Sequence, residues 1–414
     1  MTRTLITQAE ALSLARQASG QSAKLVHYNW RLYSDDQIGY LGSHWQLVVE
    51  AESNGKARKH RFFVKAFPET PTEFQYVKGR GVFYQETVFF QNVIPELTKG
   101  VDVESWSPKC YLANGEVLGK KMSEEAMKQF SRIINNHKHE VLEDLGEKNY
   151  SMSPRLFNEE ITRSAIKTLA RFHASSILTE ARLGKSLYEL YPDAFREMGF
   201  AGVGKNQDWV MAGKDTAVRF TTCLPESLRR RGSRYKCSLS CERTKPTDKT
   251  MVACHGDLWP NNIMLDDSEP PRCKLVDFQF ARYAPPAQDL VLLLHLSTSS
   301  EFRAKFEPEM VRDTVEKNNP SIEVPMSIEE LREEILEQKL RAVLTAALYF
   351  PAVFANGKFA EDLIADPDEF EKFQYVDRRE KVFELMRRNQ MYRSRIEDAV
   401  RELVDYGERF FMIH

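Results

Sequence analysis

The sequence predicts an α+β chain of two lobes, a small antiparallel sheet with one helix followed by a large, mainly helical lobe. Three observations carry this. From Lys24 to Phe67 the apolar residues fall into strand-like runs separated by Gly-bearing turns. Beyond residue 145 the apolar spacing turns helical and stays so over long stretches. Set into that helical part is one exception, His255-Gly256-Asp257-Leu258-Trp259-Pro260-Asn261-Asn262, followed by an apolar run, a turn, and Lys274-Leu275-Val276-Asp277-Phe278. The first lobe is placed at residues 1–144 and the second at 145–414.

Taken in order, residues 7–20 read as an amphipathic helix. Thr7 with Glu10 three residues on is a capping box, and Gly20 ends the helix. Strands follow at residues 25–32, 45–51 and 61–67, the last two joined by the hairpin signal Asn54-Gly55. The turn Gly39-Tyr40-Leu41-Gly42-Ser43 joins the first two. Its glycines would let backbone N–H groups approach a phosphate without a side-chain clash, although most such turns are only turns.

Lys65 ends a strand among apolar neighbours, and Glu86 is a single acid in the apolar helix that begins near Gly81 and stops at Pro95. Each is costly to bury alone, and a Lys65–Glu86 pair resolves both. The bland alternative is a lysine that snorkels to water and an exposed glutamate. Two more strands are expected at Tyr111-Leu112 and from Glu140 to Leu145, with a polar excursion over 114–139 between them. Glu143-Asp144-Leu145 then falls where a hinge between lobes would hold an adenine through backbone groups, with Glu143 and Leu145 as the residues concerned.

The second lobe opens with a helix from Glu159 to Leu183, in which His173 reads as a satisfied core histidine. Residues 199–250 look irregular, and the basic stretch Arg229–Lys249 reads as a solvated loop. Asp289 is expected to cap the apolar helix that follows it. Long helices are expected at 327–356 and 379–410.

The chain has 414 residues, 42% hydrophobic and 29% charged, with net charge −2, and gives no footprint for nucleic acid or membrane. Its six cysteines are few and irregularly spaced, and Cys237 with Cys241 lacks a second ligand pair at zinc spacing. We read them as reduced thiols in a cytoplasmic protein, expected to be monomeric.

The segment from His255 to Phe278 has the chemistry of phosphoryl transfer. Asp257 would accept the proton of an attacking hydroxyl, while Asn262, five residues later, and Asp277 would offer oxygens to Mg2+. A lone His-Gly-Asp is usually a turn, but that spacing with a downstream apolar-apolar-Asp-Phe is far more specific. Three departures separate it from protein kinases. Gly256 stands where many of them carry the Arg that pairs with a phosphorylated activation loop, and Trp259 stands at a Lys position. Only eleven residues lie between Asp277 and Asp289, too few to dock a polypeptide. The acceptor is therefore expected to be a small-molecule alcohol, with Trp259 as an aromatic wall beside it.

The stretches around Asp257 and Asp277, with Gly39-Tyr40-Leu41-Gly42, Phe63-Val64-Lys65, the Glu86 helix, Leu142-Glu143-Asp144-Leu145, Leu169-Ala170-Arg171-Phe172-His173-Ala174 and Pro286-Ala287-Gln288-Asp289-Leu290, resemble the ecdysteroid kinase-like family of arthropods, within the choline/aminoglycoside kinase-like group. The resemblance implies a two-lobed protein-kinase-like fold and ATP-dependent phosphorylation of a hydroxyl on an ecdysteroid or a dietary xenobiotic. It also implies Asp257 as base, Asn262 and Asp277 as metal ligands, and Lys65 with Glu86 as the phosphate-holding pair. Many members carry Gly-x-Asn-Tyr-x-Ser at the nucleotide loop, where this chain has Gly39 and Gly42 in a different setting. Two other readings stay open: a catalytically silent kinase-like protein that binds apolar metabolites, and a choline- or aminoglycoside-type kinase with an acidic acceptor pocket.

Overall fold

A computed structural model describes residues 5–34, 42–68, 73, 77, 81–100, 104–114, 139–199, 204–221, 226, 249–306, 326–355 and 358–413. The chain begins with helix α1 (Gln8–Ser19), whose capping box is formed as expected: the Thr7 hydroxyl accepts from Glu10 N, and Glu10 accepts from Thr7 N at 2.8 Å. Strands β1 (Lys24–Leu32), β2 (Ser43–Ser53) and β3 (Lys56–Ala66) follow as an antiparallel meander. Its tight turn rests on Asn54 and Gly55, both at positive φ (53° and 72°), as a primed hairpin turn demands. Helix α2 (Val82–Val88) passes through a π turn (Phe89–Val93) into α3 (Ile94–Thr98), then come β4 (Cys110–Asn114) and β5 (His139–Glu143). The five strands form one antiparallel sheet in the order β1-β2-β3-β5-β4. One face is sealed by Ala11, Leu14 and Ala15 of α1 on Leu47, Val49, Phe62, Val64 and Val141.

Pro95 does not end the Glu86 helix. The chain widens by one residue in the π turn, where Ile94 N bonds to Phe89 O, and Pro95 then sits in the first turn of α3, where its missing N–H costs nothing. The wide turn also lets the consecutive residues Phe89 and Phe90 both pack on Phe278, at 5.2 and 5.9 Å between ring centres.

The remainder is mainly helical: the two-residue strand β6 (Ser151–Met152), α4 (Glu159–Leu183), α5 (Leu187–Leu190), α6 (Gly204–Thr221), strands β7 (Val252–Cys254), β8 (Ile263–Leu265), β9 (Cys273–Leu275) and β10 (Arg282–Ala284), then α7 (Pro286–Ser297), α8 (Ile328–Val353), α9 (Lys358–Ala365), α10 (Pro367–Tyr375), α11 (Arg379–Arg388) and α12 (Gln390–Ile413). Helix α7 is buried on every side from Ala287 to Ser297, which makes it the axis of the lobe. Short strands β7 with β10, and β6 with β8 and β9, frame the segment from His255 to Phe278. This sheet lobe on a helical lobe is the protein-kinase-like fold.

Three sequence expectations need correction. Residues 199–250 contain the 18-residue helix α6, which its two internal or terminal glycines disguise. Gly213 is there for a close approach: a Cβ would lie 3.2 Å from Leu348 Cδ2 on α8. The expected helix over 379–410 is two helices, broken at Asn389. Asp289 is not a cap, since the helix starts at Pro286 with Pro285 before it, and Asp289 lies one turn in, fully buried. The excursion 115–138, the basic stretch 227–248 and Gly39 fall outside the described residues. Among the described residues no single helix is long and apolar enough to cross a membrane.

Candidate active site

Lys65 leaves the end of β3 on the face of the sheet turned away from α1, 6% exposed, between two carboxylates that come from distant parts of the chain. Its Nζ pairs with Glu86 of α2 and donates to Asp277 Oδ1 at 2.7 Å. Burial alone would depress the ammonium, and the facing carboxylates of Asp277 and Glu86 instead hold it above the ordinary lysine range. For Glu86, burial pushes the carboxyl upward against the pull of Lys65. The other Glu86 oxygen accepts Phe278 N at 3.0 Å, so one side chain ties α2 to both the lysine and the Asp277 loop. A third acid lies behind the pair. Glu140 faces Lys65 across the β3–β5 ladder, is fully buried, and accepts from the Thr87 hydroxyl at 3.1 Å. Burial, then the nearby Glu86 charge, raises its carboxyl well above the usual range.

Asp277 adopts φ 68°, a left-handed conformation that Asp tolerates better than most residues and that marks functional loops. The twist sets its Oδ1 on Lys65 and its Oδ2 against Gln279 Nε2 at 3.1 Å. The next residue, Phe278, is buried among Phe89, Phe90, Trp106, Phe172 and the ring of His255, so the loop is pinned by an aromatic hub.

Asp257 and Asn262 come together as their spacing predicts. A 3-10 turn at Pro260–Asn262 folds Asn262 back, and its Nδ2 donates to Asp257 O at 2.8 Å and to Asp257 Oδ2 at 3.0 Å. With both amide hydrogens committed, the amide oxygen is the atom left for a cation. Val276 N donates to Asn262 O at 3.0 Å, which places Asn262 alongside the chain that leads into Asp277.

Asp289 holds the loop from below. His255 N and Gly256 N donate to its two oxygens at 2.7 and 2.9 Å, and His173 Nε2 lies 3.1 Å from Oδ2. His173 is thus the satisfied core histidine expected. Burial depresses the His255 imidazole, whose Nε2 lies 3.0 Å from Val276 O and whose Nδ1 accepts Asp257 N at 3.3 Å. Cys254, His173 and Asp289 present ligand atoms within 4.8 Å of one another. Each of the three already has protein partners: Asp289 takes His173 and the two backbone N–H groups, and the Cys254 thiol lies 3.5 Å from Ala284 O.

At the lobe junction the structure assigns the main structural work to Asp144, which the sequence reading passed over. Its carboxylate accepts from Tyr33 Oη at 2.7 Å, Gln46 Nε2 at 2.9 Å and Gly146 N at 3.1 Å, tying β1 and β2 to the connector. Glu143 N donates to Lys109 O at 2.8 Å, and Leu145 is buried in a 3-10 turn. Gly42 packs on Lys65, with a Cβ position 3.2 Å from Lys65 Cγ. His44, opposite Lys65 on β2, also borders the site, and burial with the nearby ammonium depresses it to about 4. Trp259 is half-buried against the helical lobe, 6.3 Å from the ring of Phe354, which stacks on Phe350 at 4.7 Å.

A buried lysine bridged to a helix glutamate and to a loop aspartate, with an Asp–Asn pair in the loop before it, gathers the residues that the sequence predicts for a kinase-type site. Residues 39–315 match the ecdysteroid kinase-like family, and the chain belongs to that family. Similar solved structures include an ethanolamine kinase of Plasmodium vivax at 11% identity and TM-score 0.40, over 91% of this chain and 84% of that one. A macrolide 2'-phosphotransferase of Brachybacterium faecium is similar at 15% identity and TM-score 0.35, over 85% and 97%. A choline kinase of Streptococcus pneumoniae is similar at 13% identity and TM-score 0.36, over 90% and 98%. No curated protein sequence matches the chain.

Proposed function

We propose that this protein is an ATP- and Mg2+-dependent kinase that phosphorylates a hydroxyl of a small molecule, with a neutral alcohol of apolar body, such as an ecdysteroid or a dietary xenobiotic, as the acceptor. The observation that carries the reading is Lys65, held charged and buried between Glu86 and Asp277 next to the Asp257–Asn262 pair. Such a lysine has no packing purpose, and the two carboxylates it bridges, Glu86 and Asp277, outnumber it.

The donor set fits a hard cation: the Asn262 amide oxygen and the Asp277 carboxylate are the oxygens that would hold Mg2+, which supplies charge neutralisation of the triphosphate. Lys65 would neutralise phosphate oxygens from the sheet side, with Glu86 keeping it in place. Asp257, its carboxylate plane fixed by Asn262, would orient the acceptor hydroxyl and accept its proton. Gly39 and Gly42 would line the nucleotide loop, and Glu143 and Leu145 would meet the base through their backbone. Positioning and fixed charge of this kind account for most of what phosphoryl transfer requires.

The acceptor class rests on the family and on Trp259, half-buried two residues after Asp257 and 6.3 Å from the Phe354 ring. Screening the purified protein with ATP and Mg2+ against ecdysteroids, plant glucosides, choline and aminoglycosides tests this. Turnover confined to neutral alcohols supports it. Turnover confined to choline or aminoglycosides refutes the acceptor class, and ATP-induced thermal stabilisation without any turnover favours a silent binding protein. A Trp259→Ala enzyme should shift selectivity among the neutral acceptors, and unchanged selectivity would remove Trp259 from the pocket.

A further inference from the structure

Gly256 precedes Asp257 at φ 78°, and no side chain fits there: a Cβ would stand 2.1 Å from Phe280 O and 2.7 Å from Arg282 Nε. The space is filled by the guanidinium of Arg282, which enters from β10. Its NH2 lies 3.4 Å from Gly256 O and its Nε 3.4 Å from Phe280 O, so it touches the carbonyls on both sides of the catalytic segment. Protein kinases often bring a guanidinium to this region from the residue before the catalytic Asp and fix it with a phosphate added to the activation loop. Here the guanidinium comes from downstream, and the anion that fixes it is built in. Arg282 NH1 donates to Glu197 Oε2 at 3.1 Å, and Arg341 NH2 of α8 donates to the same oxygen at 2.8 Å.

Glu197 is itself anchored, its Oε1 accepting Gly199 N at 2.9 Å. Gln288, beside Asp289, completes the cluster: with its amide oxygen turned inward it accepts from Arg341 Nε at 3.2 Å and Arg282 NH1 at 3.1 Å. A cavity of about 10 Å³, roughly the room for one water, lies among Gly256, Arg282, Gln288, Arg341 and Tyr349. Two guanidiniums thus share one carboxylate, and that carboxylate links α8 to the carbonyl next to Asp257.

We propose that Glu197 is a positioning residue for the transfer step, a permanent carboxylate that does for this catalytic loop what a regulatory phosphate does in protein kinases. It acts through Arg282 on Gly256 and so on the direction of Asp257. The proposal rests on the reading of Asp257 as the acceptor-orienting base.

The test compares wild type, Glu197→Ala, Glu197→Asp and Asp257→Ala, each with and without added formate, in ATP turnover and in backbone hydrogen exchange over residues 255–262. Glu197→Ala should lower kcat about 10- to 100-fold with the KM for ATP unchanged. Formate, a free carboxylate able to enter the vacated space, should restore part of that loss, and Glu197→Asp should retain more activity than Glu197→Ala. Exchange over 255–262 should rise in Glu197→Ala and fall again with formate, while α4 stays unchanged. Wild-type exchange in that peptide, or kcat within about twofold of wild type, overturns the positioning role. Turnover surviving in Asp257→Ala, with exchange still altered in Glu197→Ala, overturns the reading of Asp257 and leaves the latch standing as a structural device.

Discussion

Two charge clusters flank the loop that carries Asp257, one largely buried and one half-buried, and they are unbalanced in opposite directions. On the sheet side one ammonium, Lys65, meets two carboxylates, Glu86 and Asp277, with the acid of Glu140 behind them. On the helical side two guanidiniums, Arg282 and Arg341, meet the carboxylate of Glu197. The helical cluster makes up its shortfall with neutral acceptors, the Gln288 amide and the carbonyls of Gly256 and Phe280. The sheet cluster also takes neutral donors, Phe278 N, the Thr87 hydroxyl and the Gln279 amide, but Glu140 Oε2 is buried without a hydrogen bond. Excess negative charge with oxygens to spare suits a site that receives a cation and its phosphates. Excess positive charge closed off by backbone suits a fixed brace.

The strongest way to break this contrast is to remove the acids at the reacting centre. Asp257→Ala and Asp277→Ala should each cut ATP turnover by about 10³-fold or more while thermal melts still show a folded chain. Near-wild-type activity in either would detach the sheet cluster from chemistry.

A stability comparison comes next in size. Lys65→Met leaves the buried Glu86 and the half-buried Asp277 without their cation, a loss of about 3–5 kcal/mol by the usual behaviour of broken buried pairs. Arg341→Met should cost less, about 1–3 kcal/mol, because Glu197 keeps Arg282 and the Gly199 N–H. Urea unfolding of the two variants ranks them, and equal losses would mean that the helical cluster is as tightly closed as the sheet cluster.

How much of this was legible depends on whether a residue's reason is local. Lys65 and Glu86 stand out in sequence because each is an ion in an apolar run, and Asp257 and Asn262 because five residues bring them together in one turn. The capping box at Thr7 and the hairpin at Asn54-Gly55 are local as well. Asp289 was misread as a cap because its partners, His173 and the amides of His255 and Gly256, lie far away in the chain. Asp144 was passed over, since Tyr33 and Gln46 give no sign of it in sequence. Glu197 and Arg341 carry no local signal, since each sits among other charges, Arg196 and Lys339 among them, and their partners lie far away in the chain. Helix α6 was hidden because Gly213, poor for a helix by itself, is justified only by Leu348 across the interface.

The smallest expected effect concerns Glu140, and it separates the two clusters by pH. In the folded chain burial and the neighbouring Glu86 raise this carboxyl well above its usual range, so it binds a proton more tightly folded than unfolded. A group raised in this way contributes stability that is full below its unfolded value near 4.5 and is lost as pH rises through its folded value. Glu140→Gln keeps the shape and the acceptor for the Thr87 hydroxyl but cannot ionise. The variant should therefore match wild type in acid and pull ahead as pH rises above the unfolded value, seen as a widening gap in melting temperature. Parallel curves would mean that Glu140 is ionised throughout and that Lys65 serves three carboxylates at once. A widening gap would mean that a proton on Glu140 leaves the lysine to Glu86 and Asp277, the two acids that join the helix to the loop.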